Sequence, residues 1–345
     1  MHDGRLGALT VTHACRPAVV GALPRSLYLE TTNRCDSKCQ TCIRTFQTLE
    51  PPADLTLERV RAIVAQFPLL DRVVLHGIGE PLLNPQIFEI VAHLKTRVAL
   101  VLFNSDAISL TPARARRLVE SGLDEYRVSM DAATAVTYRQ LRGVDRFARV
   151  TANVSRLVAL QRELGQTTPR VSLWFTASRA NVEELPAFVQ LAADLGVGEV
   201  YVQRLVFNGL GLATEANALH GTLRERERAR LAEADALATR HGITMRASGL
   251  TTPLASLQAG DGGARPWSGC QRPWTLAYVT ANGNVLPCCI SPWVARDYAG
   301  LILGNAFSER FESIWDGARY QQFRTDFETA TPPDPCRGCG LLWSI

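Results

Sequence analysis

The sequence predicts an α/β fold: a parallel sheet covered by helices, followed by a smaller α+β unit. Three observations carry this. From Ser26 onward, short β-rich apolar runs alternate with amphipathic helical segments, giving six strand candidates at 26–32, 72–76, 97–103, 125–130, 170–176 and 199–206. The intervening helices have readable ends. The alternation then stops at 250–268, a stretch rich in Gly, Pro, Ala and Ser that reads as a linker. The expected organisation is an extension over 1–25, a βα core over 26–248 and a C-terminal unit over 249–345.

Each helix has a start or stop signal of its own. Thr111-Pro112 opens one with Pro in the first turn, and Gly122 closes it. Asn181 with Glu184 opens another, which ends at Gly196. Thr222 with Glu225 caps a long helix to about Arg240, and its run 224–228 of alternating Arg and Glu reads as a solvated face. Beyond the linker, 275–280 and 284–287 flank Ala281-Asn282-Gly283, a hairpin signal, and a helix is expected over 308–327.

The chain has 345 residues, 46% of them hydrophobic and 20% charged, as in ordinary globular proteins. No apolar run reaches the length of a membrane span, and no apolar segment follows the charged start, so neither a span nor a secretory signal is expected. Net charge is +4; the arginines are scattered among acids and form no basic stripe, so no nucleic-acid substrate is expected. Nine cysteines fall at 35–42, 270, 288–289 and 336–339, with Cys15 alone. A disulfide scaffold would spread them through a short secreted chain, whereas clusters with long gaps suit metal sites in a reducing compartment, here the cytoplasm.

Cys35, Cys39 and Cys42 form a C-x3-C-x2-C run. Thiolates so spaced can converge from one tight loop and hold three irons of a cubane cluster, leaving the fourth open for chemistry. Alone, the run also fits a partial zinc site, although no fourth ligand lies close in sequence. Upstream, 26–34 reads as a strand running into the loop, and a second strand is followed by Gly77-Ile78-Gly79-Glu80-Pro81, whose glycines allow close backbone approach to a ligand.

With Glu30-Thr31-Thr32-Asn33-Arg34-Cys35, the cysteine triplet, the 77–81 loop and Val128-Ser129-Met130-Asp131-Ala132, the chain resembles the radical S-adenosylmethionine (radical SAM) enzymes. The resemblance implies a partial (β/α)6 TIM-like barrel with a 4Fe–4S cluster on Cys35, Cys39 and Cys42. It also implies SAM contacts from Gly77, Gly79, Glu80 and Pro81, and ribose contacts from Ser129 and Asp131. Reductive cleavage of SAM would give a 5′-deoxyadenosyl radical. A flavodoxin- or ferredoxin-type protein would supply the electron. One departure is Thr41, where many members carry a bulky apolar residue near adenine. Function in such barrels sits at strand C-terminal ends, which gathers His76, Asn104, Asp131, Thr176, Gln203 and Arg204 around one mouth. His76, Asn104, Gln203 and Arg204 are the candidate substrate contacts, with a structural role for His76 equally open.

Cys270, Cys288, Cys336 and Cys339 come from a hairpin and a terminal C-x2-C, a pattern that on spacing alone suits a zinc ribbon. Their surroundings, 269–274, 282–289, 303–306 and 314–317, resemble the SPASM and shorter "twitch" extensions of radical SAM proteins. The resemblance implies an auxiliary 4Fe–4S cluster, a single one because the chain ends six residues after Cys339. Cys289 reads as a buried apolar neighbour, an alternative ligand or a reactive thiol, and Cys15 as without a metal role. An auxiliary cluster offers an electron acceptor, so a dehydrogenase-like oxidation is expected. Peptide maturases of this kind commonly carry a leader-binding domain of about a hundred residues, and only about 25 residues precede the first strand here, so a small-molecule substrate is expected. Peptide modification, epimerisation, transfer of a SAM-derived group, and an iron–sulfur scaffold without turnover are the alternatives.

Overall fold

A computed structural model describes residues 16–249, 251–258, 266–294, 296–337 and 339. Cys15 lies outside the described residues. Seven parallel strands run in chain order: β1 (Ser26–Leu29), β2 (Arg72–Val74), β3 (Leu100–Ser105), β4 (Glu125–Ser129), β5 (Arg170–Ala177), β6 (Glu199–Arg204) and β7 (Thr244–Ala247). Between them lie α1 (Leu57–Val64), α2 (Ile87–Lys95), α3 (Pro112–Glu120), α4 (Ala135–Arg142), α5 (Phe147–Glu163), α6 (Leu185–Leu195) and α7 (Glu225–His241). Strand alternation gives the sheet two unlike faces. Leu27, Val73, Val101, Phe103, Val128, Leu173, Phe175 and Val200 join the helices in one buried core. The other face presents Tyr28, Arg72, Asn104, Arg127, Trp174, Thr176, Tyr201 and Gln203, all half-buried. This is the curved, mostly parallel sheet of a partial barrel, with a polar and aromatic concave face.

Three features depart from the sequence reading. β7 was not among the six expected strands; it is a short edge strand with exposed Thr244 and Arg246, so it lacks an apolar run. The hairpin β8 (Leu276–Val279) and β9 (Asn284–Leu286), with β10 (Gly304–Asn305), belongs to the barrel's own sheet: β8 pairs parallel with β1, Ser26 opposite Leu276. One ten-stranded sheet results, in the order β10-β9-β8-β1-β2-β3-β4-β5-β6-β7. The helix expected over 308–327 is broken into Phe311–Trp315 and Ala318–Phe327 at Asp316-Gly317. There the Asp316 carboxylate accepts from the amides of Val20 and Gly21, both at 2.8 Å.

Two caps also moved. The long helix begins after Arg224, where Glu227 accepts from the Arg224 amide at 2.7 Å; Glu227 is buried and paired with Arg179, not solvated. Glu184 does not cap its own helix. It accepts from the amides of Ala133 and Thr134 and from the hydroxyls of Thr134 and Thr137. The described part of the extension straps onto the C-terminal unit. Trp274 Nε1 donates to the Pro17 carbonyl and Trp315 Nε1 to that of Ala22, at 2.8 and 3.0 Å.

Two carboxylates fasten the hairpin to the barrel. Glu50 accepts from Thr280, Asn282, Asn284 and Tyr298 at 2.7–3.2 Å. Buried Glu30 accepts from the amides of Ile78 and Ala281 and from the Tyr278 hydroxyl. Burial pushes Glu30 up to about 7, against the pull of those three donors and with a further push from Glu50. The folded state therefore favours its protonated form more than the unfolded state does. That contribution is full below the unfolded value of 4.5 and is lost as pH rises through about 7. Glu30→Gln does not titrate, so the wild type's melting-temperature advantage over it should shrink between about pH 5 and pH 8. A constant difference across that range would show that the three donors hold Glu30 ionised throughout.

Candidate active site at the strand ends

The cysteine loop leaves β1 directly and is held by groups other than its thiols. Arg44 donates to the carbonyls of Cys35 and Ser37 at 3.1 and 2.7 Å. The amides of Lys38 and Gln40 donate to the carbonyls of Arg142 and Leu141, at the end of α4. Gly143, in the left-handed region at φ 68°, lets α4 end against this loop; a Cβ there would stand 2.1 Å from the Lys38 carbonyl oxygen. Burial pushes all three thiols up. For Cys35, Asp106 and Glu80 add to this, whereas Arg142 opposes it for Cys39, which is pushed up to about 12. A nucleophilic cysteine needs the opposite shift. Buried thiols that ionise only when a metal displaces the proton suit ligation. None of the eight described cysteines is in a disulfide.

The 77–81 loop packs on this one. The Glu80 amide donates to the Arg34 carbonyl at 2.8 Å. A Cβ on Gly77 would meet the Glu30 side chain at 2.2 Å, and one on Gly79 the Thr32 carbonyl oxygen at 2.1 Å. Glu80 itself is buried and accepts from the Leu82 amide, the Ser105 hydroxyl and the Asp106 amide. Its carboxylate thus ties the end of β3 to the loop. Pro81 opens a short 3-10 turn, Pro81–Leu83. Asp106 in turn accepts from Ser37 at 2.8 Å beside Cys35; burial and Asp36 push it up to about 6.

Asp131 sits just beyond β4 at φ 63°, with its carboxylate accepting from Arg142 at 2.8 Å and from the Thr176 amide at 2.7 Å. Ser129 stands in register with Trp174, and Thr176 with Gln203. Asn104 stands opposite Arg127 on the concave face. His76 lies two residues beyond β2 and stacks on Trp293 of the C-terminal unit, with centroids 6.5 Å apart. Burial, with the charge of Arg127, lowers it to about 4, so it is neutral near pH 7. Arg204 leaves the group. It lies on the helix-facing side, where its Nε donates to the Ser256 carbonyl and hydroxyl. Strand alternation, which turns Gln203 and Arg204 to opposite faces, is the reason. Sequence reasoning missed Arg44, Asp106 and Arg142; the register after β3 and the end of the helix after Asp131 were the available signals.

At the second site Cys270, Cys288, Cys336 and Cys339 line one cavity with Arg272, Pro273, Ile290, Phe323, Phe327 and Pro335. Cys289 points elsewhere, into a buried cluster with Leu276, Tyr278, Leu286 and Leu301. Four thiols lining one largely apolar cavity suit a centre held by four cysteines.

A family model for the radical SAM superfamily matches residues 29–169, and one for the SPASM iron–sulfur cluster-binding domain matches 270–340. The chain belongs to the radical SAM superfamily. It is a radical SAM enzyme with a C-terminal SPASM domain, whose cofactors are SAM, a 4Fe–4S cluster and auxiliary iron–sulfur. The chain is 28% identical over 323 residues to a PqqA peptide cyclase of Streptomyces rochei, covering 93% of this chain and 82% of that protein. It is 24% identical over 329 residues to an AdoMet-dependent heme synthase of Methanosarcina barkeri, covering 92% and 88%. Streptococcus suis SuiB bound to S-adenosylmethionine shares the fold, with a TM-score of 0.69 at 18% identity over 94% of this chain and 72% of that one. Among the described residues no helix is long and apolar enough to cross a membrane.

The packing of Gly79 reaches the cysteine loop. The first contact of a side chain there is the Thr32 backbone, three residues before Cys35. Gly79→Ala should therefore weaken SAM binding at least about tenfold and cost about 1–3 kcal/mol through overpacking. It should also alter the spectrum of the first cluster. Calorimetric SAM titration and EPR check this; unchanged affinity would place the SAM site elsewhere.

Proposed function

We propose that this enzyme oxidatively modifies a peptide, with Cys35, Cys39 and Cys42 holding the SAM-binding cluster and Cys270, Cys288, Cys336 and Cys339 a single auxiliary one. When bound, the first cluster with SAM supplies a 5′-deoxyadenosyl radical that abstracts hydrogen from the substrate. The observation that carries the peptide reading is the 28% identity to a peptide cyclase over 93% of the chain. It replaces the small-molecule preference, which rested on the short stretch before β1.

The chain's own groups suit an oxidation. The concave face is kept rigid by the Trp174–Tyr201 stack, with centroids 4.0 Å apart, and by Arg127 over Trp174 while paired with Glu125. Neutral His76 offers an imidazole that can hydrogen-bond a substrate without carrying charge. Asp131 and Arg142 hold the ends of β5 and α4 against the cysteine loop, and Gly77 and Gly79 bring the SAM loop onto it. A flavodoxin- or ferredoxin-type protein supplies electrons.

A second reading is a tetrapyrrole-type substrate, favoured by the heme synthase similarity over 92% of the chain. The test incubates reconstituted enzyme, SAM and reductant with peptides encoded beside its gene. The expected result is faster 5′-deoxyadenosine release and a peptide lighter by two hydrogens. Acceleration by heme precursors but by none of the peptides would overturn the peptide reading.

A further inference from the structure

Arg272 is the one charged side chain among the described residues that line the cavity of the four C-terminal cysteines. It is half-buried, on the short helix Arg272–Thr275 that follows Cys270. A guanidinium keeps its proton at any ordinary pH, so a fixed cation shares the wall of this cavity with Cys270, Cys288, Cys336 and Cys339, in a low-dielectric surround where Coulomb terms are large. An opposite charge, Asp334, stands two residues before Cys336 and accepts from the Arg296 amide at 2.7 Å.

We infer that Arg272 is a positioning residue that raises the reduction potential of the auxiliary centre. The inference rests on the reading that these four thiols hold an iron–sulfur cluster. Uptake of one electron adds one negative charge inside the thiolate cage. A fixed cation beside the cage stabilises that reduced state more than the oxidised one, so the centre accepts an electron from a substrate radical more readily. Burial and local charge are established levers on such potentials. A purely structural arginine would serve packing and leave the potential where it was.

The experiment uses the full chain, reconstituted, with Cys35, Cys39 and Cys42 replaced by Ala so that only the second centre is seen. Arg272→Met and Arg272→Gln remove the charge; Arg272→Lys keeps it. Each is first counted for iron and then titrated by EPR-monitored reduction. The expected result is a reduced-to-oxidised ratio at least about tenfold lower at a given potential in the two neutral variants, equivalent to 59 mV for one electron. Arg272→Lys should stay close to the parent. Equal potentials in all four loaded proteins would overturn the inference. So would loss of iron from all three variants, which would make Arg272 a residue of assembly. Absence of iron from the parent would instead overturn the cluster reading itself, and the iron count shows this before any potential is measured.

Discussion

Replacing Cys35, Cys39 and Cys42 together by Ala should halve the iron, from about eight to about four per chain, and reduce 5′-deoxyadenosine formation to background. The structure makes this a clean experiment. The loop is positioned by Arg44 on the carbonyls of Cys35 and Ser37 and by the α4 carbonyls on the amides of Lys38 and Gln40. None of those bonds uses a thiol, so the loop should keep its course without its sulfurs. The remaining four irons should give an EPR signal insensitive to SAM, because a site with four cysteine ligands leaves no open position. Iron analysis and EPR with and without SAM decide it. Retention of a SAM-sensitive signal would show that the open cluster lies elsewhere.

The sequence carried the parts of this site that depend on spacing and strand order, and it missed the parts that depend on which face a side chain takes. The βα alternation and the cysteine triplet were legible because each is local. Gln203 and Arg204 could not be separated without the register of β6, although one residue's step sends Arg204 to Ser256 behind the sheet. Glu80 and Asp131, read as SAM contacts, have structural partners that the sequence did not show: their carboxylates hold Ser105 and Asp106, and Arg142 and Thr176, respectively. The hairpin was recognised, but its pairing with β1 is a contact across about 250 residues that no local pattern encodes. That pairing places Cys270, before β8, and Cys288, after β9, on the same sheet as the 77–81 loop, a link absent from the sequence reading.

Removing Cys336 and Cys339 by Ala should separate SAM cleavage from substrate turnover. Cys336 lies on a short helix, Asp334–Arg337, beyond the sheet, so its loss leaves β1–β7 and the β8–β1 pairing in place. Glu30 and Glu50 hold the hairpin without either sulfur. The variant should bind SAM, keep about four irons and form 5′-deoxyadenosine slowly. Oxidised product should fall at least about a hundredfold, because an oxidation that has lost its electron acceptor stops at the substrate radical. Cys289→Ala is the control. Its thiol is packed among Leu276, Tyr278, Leu286 and Leu301, so deletion should cost about 1 kcal/mol of stability and leave product unchanged. The ratio of 5′-deoxyadenosine to product, measured side by side in the two variants, is the readout. Normal product from the double variant would make the auxiliary centre structural and remove the support for a net oxidation. A large loss in Cys289→Ala would instead assign chemistry to that thiol and favour transfer of a SAM-derived group.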